Sequence, residues 1–117
     1  MSKIIMVVDD EPDRLELVKA ILGKEEYIII TASSGEDCLK KLKTGKKPDL
    51  ILMDIIMPGT PVKEVVSKIK GIKIAYFTSA GMSDEEKEKL KTDNVVDFIE
   101  KSVDTKELVK RVKKIIG

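Results

Sequence analysis

The sequence contains no histidine and no tryptophan, and aromatic residues make up only 3% of its 117 positions. Without histidine, any imidazole that serves as a base, a metal ligand or a phosphoryl carrier must come from a partner. The scarcity of aromatic rings disfavours nucleic-acid binding by base stacking. The single cysteine, Cys38, excludes an internal disulfide, which fits a reducing compartment, and we expect the cytoplasm.

Charge and hydropathy also exclude several classes of partner. The formal net charge is +1, which is too small to attract nucleic acid or an anionic membrane strongly. No apolar stretch reaches membrane-spanning length, and no signal-peptide pattern precedes the apolar run at 4–8. One basic stretch near the end is interpreted as a solvated helix face rather than a DNA-binding one: Lys110, Arg111, Lys113 and Lys114. We therefore expect neither direct nucleic-acid binding nor membrane insertion.

What is present is a regular alternation of apolar runs and amphipathic stretches. The runs predict five strands, at 3–8, 27–32, 49–53, 72–77 and 95–99. The stretches between them predict helices, with capping residues at Ser33 or Ser34, in S-D-E-E from Ser83, and at Asp104. Thr60 and Pro61 are predicted to be the N-cap and the first residue of the third helix.

Strict βα alternation predicts right-handed crossovers and a parallel sheet with helices on both faces. We expect one domain spanning 1–117, because the composition shows no linker and 117 residues suffice for one core. The predicted fold is a (βα)5 doubly wound α/β fold of flavodoxin-like type, with strand order 2-1-3-4-5.

Polar residues follow four of the predicted strands. Asp9 and Asp10 follow the first strand, Asp54 the third, Thr78 the fourth and Lys101 the fifth. Ligands of open α/β sheets bind at the carboxyl ends of the strands, where the strand order reverses. Three carboxylates that converge there would need a cation, and with only oxygen ligands at hand Mg²⁺ is the first choice.

Asp54 stands out because it interrupts the apolar run L-I-L-M-D-I-I-M-P at 50–58. A buried carboxylate is costly unless a cation pairs with it. Its alternative interpretation, as a turn or capping residue, is weaker because Pro58 and Gly59 already supply the turn. A carboxylate nucleophile beside Mg²⁺ and a lysine suits phosphoryl transfer onto Asp54, which gives an aspartyl phosphate.

This pattern resembles the receiver domain of two-component response regulators, across the whole chain. Four motifs carry the resemblance: V-V-D-D-E at 7–11, L-M-D-I-I-M-P-G at 52–59, F-T-S-A at 77–80 and F-I-E-K at 98–101. The resemblance implies that Asp54 is the phospho-acceptor. It also implies that Thr78 and Lys101 bind the phosphoryl group, and that Phe98 changes rotamer when the group arrives.

The same resemblance implies a Mg²⁺ site and a set of partners. Asp10 is implied as a direct ligand together with Asp54 and the backbone carbonyl of Ile56, and Asp9 as a ligand acting mostly through water. The donor would be a histidine kinase or a histidine phosphotransfer protein. The output would be an unknown protein bound by the face formed by the fourth helix, fifth strand and fifth helix. The domain would catalyse only its own phosphorylation and dephosphorylation.

Three positions depart from the family pattern. Ser102 follows Lys101 where the family usually has proline, often with a cis bond, and Thr60, Pro61 and Val62 replace the frequent Met-Asp-Gly. Ile56 and Ala80 are apolar beside the pocket, so we expect that neither orients a hydrolytic water and that the aspartyl phosphate is long-lived. Two alternatives remain. One is a pseudo-receiver that acts without phosphorylation. The other is a phosphohydrolase, which would need an acid/base residue near Asp54 that Ile56 does not supply.

Overall fold

The computed structural model describes residues 2–79 and 81–117, which form five strands and five helices in alternation. The strands are β1 (Ile4–Val8), β2 (Ile28–Ala32), β3 (Leu50–Asp54), β4 (Lys73–Thr78) and β5 (Val95–Glu100). The helices are α1 (Pro12–Gly23), α2 (Gly35–Thr44), α3 (Val62–Ser67), α4 (Asp84–Leu90) and α5 (Thr105–Ile116). Every strand boundary lies within one residue of its prediction from the apolar runs.

The five strands form one parallel sheet in the order β2-β1-β3-β4-β5. The predicted flavodoxin-like fold is therefore confirmed. β3 is the central strand and all five of its residues are buried, which explains its continuous apolar sequence. Asp54 is the last residue of β3, so the polar interruption of the apolar run marks the carboxyl end of the strand.

Helices cover both faces of the sheet. On one face, α1 and α5 pack their apolar side chains against alternate residues of the strands. The buried helix residues on this face are Val18, Leu22, Leu108, Val112 and Ile116. On the other face α2 and α3 contribute Cys38, Val65 and Val66 to a second cluster. α2 and α3 approach closely because Gly35 has no side chain, and a Cβ there would lie 2.5 Å from Cγ2 of Val65. α4 differs from the others, since none of its residues is buried.

Most predicted helix starts are confirmed. Ser34 caps α2 by accepting from the backbone N–H of Asp37, and Asp104 caps α5 in the same way. Ser83 and Glu86 form a reciprocal capping box at the start of α4.

The predicted start of α3 is wrong by one residue. Val62 is the first helical residue, and Pro61 occupies the N-cap position without a side-chain hydrogen bond. Thr60 does not cap the helix because its hydroxyl donates instead to the carboxylate of Glu36 on α2.

The edge strand β5 contains an irregularity that sets the direction of its side chains. Val95 is paired with Ile74, but the next residue of β4, Ala75, is paired with Asp97, so Val96 is an extra residue. As a result Val95 and Phe98, three positions apart, both pack against the cluster beneath α2 and α3. Alternation in a regular strand would place them on opposite faces.

Asp97, just after this irregularity, binds α5. The guanidinium of Arg111 donates to Asp97 Oδ2 at 2.8 Å and to the carbonyl of Phe98 at 3.2 Å. The expectation that Arg111 belongs to a solvated face is therefore wrong. The half-buried Asp97 carboxylate holds Arg111 against the sheet, and this contact raises the pKa of the guanidinium.

Candidate functional site

The carboxyl ends of β1, β3, β4 and β5 bring the predicted site residues to one edge of the sheet. Asp9 directly follows β1, Asp54 ends β3, Thr78 ends β4, and Lys101 directly follows β5. The three residues Asp9, Asp54 and Thr78 are buried. Their position follows from the topology, because parallel strands end at the same edge.

Lys101 connects the two buried carboxylates. Its Nζ lies 3.1 Å from Oδ2 of Asp9 and 3.2 Å from Oδ1 of Asp54, and the Lys101 side chain is only 7% exposed. Its backbone N–H donates to the carbonyl of Thr78 at 2.6 Å, which anchors the end of β5 to the end of β4. Asp54 thus has the cationic partner that its burial requires.

Local hydrogen bonds fix the direction of both carboxylates. Oδ1 of Asp9 accepts from the N–H of Glu11 at 3.0 Å, and Oδ1 of Asp54 accepts from the N–H of Ile56 at 3.3 Å. Burial raises the pKa of Asp54 above its ordinary value, although the hydrogen bond and charge of Lys101 act in the opposite direction. The nearby Asp9 carboxylate raises it further.

Asp9, Asp10 and Asp54 form a cluster whose composition fits a divalent cation. One carboxylate oxygen from each residue lies within 4.8 Å of the others, and Asp10 is exposed to solvent. Three negative charges here face the single positive charge of Lys101. Oδ2 of Asp9 is buried, and its contact among the described residues is the ion pair with Lys101. An all-oxygen, partly open cluster of this kind suits Mg²⁺.

Ile56 and Ser102 flank the pocket. Ile56 is 73% exposed, and its position two residues after Asp54 leaves the mouth of the pocket without a polar side chain at this point. Ser102 stands in a turn closed by the Val103 N–H and the Glu100 carbonyl, and among the described residues no peptide bond is cis. Ala80, the second predicted apolar neighbour, lies outside the described residues.

Phe98, the predicted switch residue, lies half-buried beneath α4. Its ring stacks on Tyr76 with 5.2 Å between centroids, and Nζ of Lys87 on α4 lies 5.6 Å from its centroid. The hydroxyl of Tyr76 donates to the carbonyl of Leu90 at the end of α4. Burial raises the pKa of Tyr76 to about 12. These contacts hold α4, which buries no residue of its own, to the sheet.

The family model of the response regulator receiver domain matches residues 5–113. The chain belongs to this family. PilH of Pseudomonas aeruginosa is 28% identical over 97% of this chain and 97% of its own length. The alkaline phosphatase synthesis transcriptional regulatory protein PhoP of Bacillus subtilis is 41% identical over 76 residues, which cover 65% of this chain and 31% of PhoP. The chain therefore matches about a third of the length of that regulator.

Solved structures agree with the receiver fold. The response regulator TrrA of Thermotoga maritima, solved in complex with Mg²⁺ and BeF, has a TM-score of 0.82 and 38% identity, covering 97% of this chain and 99% of that one. The chemotaxis protein CheY4 of Vibrio cholerae has a TM-score of 0.86 at 24% identity, covering 99% of this chain and 100% of that one, and supports the fold alone. Receiver domains are phosphoacceptor signalling domains of two-component systems, bind Mg²⁺ at an acidic cluster and typically receive phosphate from histidine kinases.

The longest helices in the described part of the chain, α1 and α5, have 12 residues each, and none of the described helices has the length and apolarity needed to cross a bilayer.

Two polar contacts outside the pocket were not predicted from the sequence. Arg111 binds Asp97, and Glu36 on α2 binds Thr60 in the loop after Asp54. No local sequence pattern predicts either contact. Arg111 and Asp97 are 14 residues apart, Thr60 and Glu36 are 24 residues apart, and charged residues of these types are common on protein surfaces.

Proposed function

We propose that the chain is a phosphoacceptor switch in which Asp54 receives a phosphoryl group from a phosphohistidine of a partner protein. The observation that carries the proposal is the position of Lys101 Nζ between the buried carboxylates of Asp9 and Asp54. A carboxylate oxygen attacks phosphorus, and the O–P bond forms as the P–N bond breaks. The partner's imidazole leaves with the electron pair and takes a proton from solvent.

Each residue of the pocket would have a defined task in this reaction. Asp54 needs no base, because its carboxylate carries no proton when ionised. Lys101 is suited to pair with a phosphoryl oxygen as a point charge, and the Thr78 hydroxyl is suited to donate to another. Asp9, Asp10, Asp54 and the Ile56 carbonyl would hold Mg²⁺. The bound ion would neutralise negative charge on the phosphoryl oxygens.

The output would be a change at the face formed by α4, β5 and α5. α4 is held by few contacts, among them the Tyr76 hydroxyl bond to Leu90 and the stacking of Tyr76 with Phe98. Elements with little buried surface have low local stability and shift most readily. Recruitment of Lys101 and Thr78 by the phosphoryl group would move the ends of β4 and β5 and shift the population of Phe98 rotamers.

The reaction is confined to the domain itself, and its physiological donor would be a protein, although a small phosphodonor can replace it in a test. We infer a histidine kinase or histidine phosphotransfer protein as the donor, because the chain has no histidine of its own. The domain would therefore act as a switch rather than as an enzyme on other substrates. The cytoplasm is the expected compartment, in keeping with a single buried, unpaired cysteine.

The proposal is tested by intact-protein mass spectrometry after incubation with Mg²⁺ and acetyl phosphate. We expect the mass of one phosphoryl group on the wild type, and none on Asp54→Asn or after addition of EDTA. The matched control is Asp93→Asn, because Asp93 is an exposed aspartate in the loop before β5, at the opposite edge of the sheet. That variant should be phosphorylated like the wild type.

The alternative function is a pseudo-receiver that binds its partner without phosphorylation. A folded wild type that gains no phosphoryl group and shows no heat of Mg²⁺ binding in titration calorimetry would establish this alternative. Retention of the phosphoryl group in Asp54→Asn would instead place the acceptor elsewhere.

A further inference from the structure

The loop at 55–61 connects Asp54 to α3 and carries Ile56, whose carbonyl is a candidate Mg²⁺ ligand. We propose that Glu36 on α2 is a positioning residue that holds this loop in the conformation the Mg²⁺ site requires. This inference rests on the proposed function and adds a residue that lies outside the four motifs of the pocket. It concerns how the loop is held and not the transfer step.

The contact between Glu36 and the loop consists of two hydrogen bonds to one residue. Oε2 of Glu36 accepts from the backbone N–H of Thr60 at 3.1 Å and from the Thr60 hydroxyl at 2.8 Å. Both bonds lower the pKa of Glu36 below its ordinary value, and the bond from the Thr60 hydroxyl contributes most. The carboxylate is therefore ionised at neutral pH. Apart from the bond between Ile56 and Asp54 at the end of β3, the side-chain hydrogen bonds that join this loop to a helix or strand among the described residues both end on Glu36.

The backbone of the loop is shaped to admit this carboxylate. Gly59 adopts a φ of +98°, a left-handed conformation that other residues rarely adopt. A Cβ at Gly59 would lie 3.0 Å from Oε2 and 3.1 Å from Oε1 of Glu36. Glycine at position 59 therefore suits both the positive φ of the loop and the close approach of Glu36, and the departure from the family pattern at Thr60 supplies the hydroxyl donor.

The helix that carries Glu36 is itself firmly seated. Gly35 packs directly on Val65 of α3, and Cys38 is fully buried in the core beneath α2. Ser34 caps the same turn of the helix. Glu36 therefore projects from a fixed support, and its two hydrogen bonds transmit that fixed position to Thr60.

The loop is consequently held on both sides of Ile56. On one side the Ile56 N–H donates to Oδ1 of Asp54 at 3.3 Å, and on the other Thr60 is held by Glu36. The carbonyl of Ile56 lies between these two anchors. Loss of the second anchor would leave the carbonyl free to move away from the acidic cluster, which weakens a metal site without removing any of its ligands.

The test compares Glu36→Ala and Thr60→Val with two controls, Thr60→Ser and Glu16→Ala. Thr60→Ser keeps the hydroxyl, and Glu16 is an exposed glutamate on α1 whose side chain makes no hydrogen bond or ion pair with the described residues. Mg²⁺ affinity is measured by calorimetry, amide exchange at Ile56 and Thr60 by NMR on the metal-free protein, and phosphorylation by acetyl phosphate at saturating Mg²⁺.

We expect Glu36→Ala to raise the Mg²⁺ dissociation constant about three- to ten-fold, the size of effect that supporting hydrogen bonds around a site produce. Amide exchange at Thr60 should accelerate in the same variant. The phosphorylation rate at saturating Mg²⁺ should fall less than the affinity, because no group that contacts the phosphoryl group is lost. Thr60→Val should show a smaller loss of affinity, and both controls should match the wild type.

Wild-type Mg²⁺ affinity in both Glu36→Ala and Thr60→Val would overturn the inference, and Thr60→Val decides the matter if Glu36→Ala does not fold. The two proposals fail in different ways. Weakened Mg²⁺ binding in the variants of a protein that is never phosphorylated would retain Glu36 as a positioning residue and reject the phosphoacceptor function. A phosphorylated wild type with unaffected variants would reject only the role of Glu36. A wild type that does not bind Mg²⁺ rejects both.

Discussion

Replacement of Lys101 by methionine should destabilise the metal-free protein strongly, because it leaves two buried carboxylates without a cation. Nζ lies 3.1 Å from Asp9 and 3.2 Å from Asp54, and the exposed fractions of the three side chains are 7%, 2% and 7%. At an effective dielectric constant of about 20, each attraction amounts to roughly 5 kcal/mol before the cost of desolvation is subtracted. Removal of one partner from a buried ion pair typically costs about 3–5 kcal/mol.

We therefore expect the free energy of unfolding of Lys101→Met in EDTA to fall by about 3 kcal/mol, the lower end of that range, since Asp54 can take up a proton. For a domain of this size that corresponds to a fall in Tm of roughly 10 °C. Methionine preserves the length of the side chain along the ring of Phe77, over which Nζ lies at 5.9 Å. The measurement is urea and thermal unfolding followed by circular dichroism.

Saturating Mg²⁺ should stabilise Lys101→Met more than the wild type, because the cation then supplies the positive charge that the lysine supplied. The control is Lys106→Met, since Lys106 is exposed at the start of α5 and has no ion pair among the described residues. A loss below about 1 kcal/mol in EDTA, the range of a surface ion pair, would refute this reasoning. An equal Mg²⁺ response in variant and wild type would refute it as well.

Three further predictions test other parts of the structure. Ile56→Asn should shorten the half-life of the aspartyl phosphate severalfold by orienting a water, and an unchanged decay of the phosphorylated mass would contradict this. Tyr76 should ionise near pH 12 in the folded protein, because burial disfavours the tyrosinate. The buried neutral phenol therefore stabilises the fold fully below pH about 10, the pKa of an unfolded tyrosine, and this stabilisation is lost as the pH rises through the folded value. Tyrosinate absorbance should show this step in the wild type and not in Tyr76→Phe. Gly35→Ala should cost about 1–3 kcal/mol in urea unfolding because its Cβ would overlap α3. Gly23→Ala, with no atom within 4 Å of the added Cβ, should cost nothing measurable.

Sequence patterns predicted most of the fold because its elements depend on local chemistry. Each strand is a short apolar run ended by polar or turn residues, and the caps at Ser34, Ser83 and Asp104 depend on residues three positions apart. The location of the site was predictable for a different reason. In the strand order of this sheet, the carboxyl ends of β1 and β3 lie side by side whatever their side chains are.

The remaining features depend on distances that no local pattern contains. Glu36 is one of 21 acidic residues, and its partner Thr60 has the sequence character of a helix cap. Arg111 lies within a run of basic residues that reads as a solvated face, yet it reaches the sheet because Asp97 points toward α5. The bridge from Lys101 to both Asp9 and Asp54 could be placed at the correct edge from the sequence, but its geometry required the structure.

The extra residue at Val96 sets the spacing at which side chains of β5 share one face of the sheet. The segment after it places Phe98 toward Tyr76 and α4, and Asp97 toward α5. Deletion of Val96 would remove the irregularity and leave Val95 and Phe98 two positions apart, where regular alternation also places them on one face with Asp97 on the other. The side-chain directions of β5 therefore tolerate the loss of this residue, and what the irregularity adds is an exposed valine at the edge of the sheet, 45% accessible to solvent.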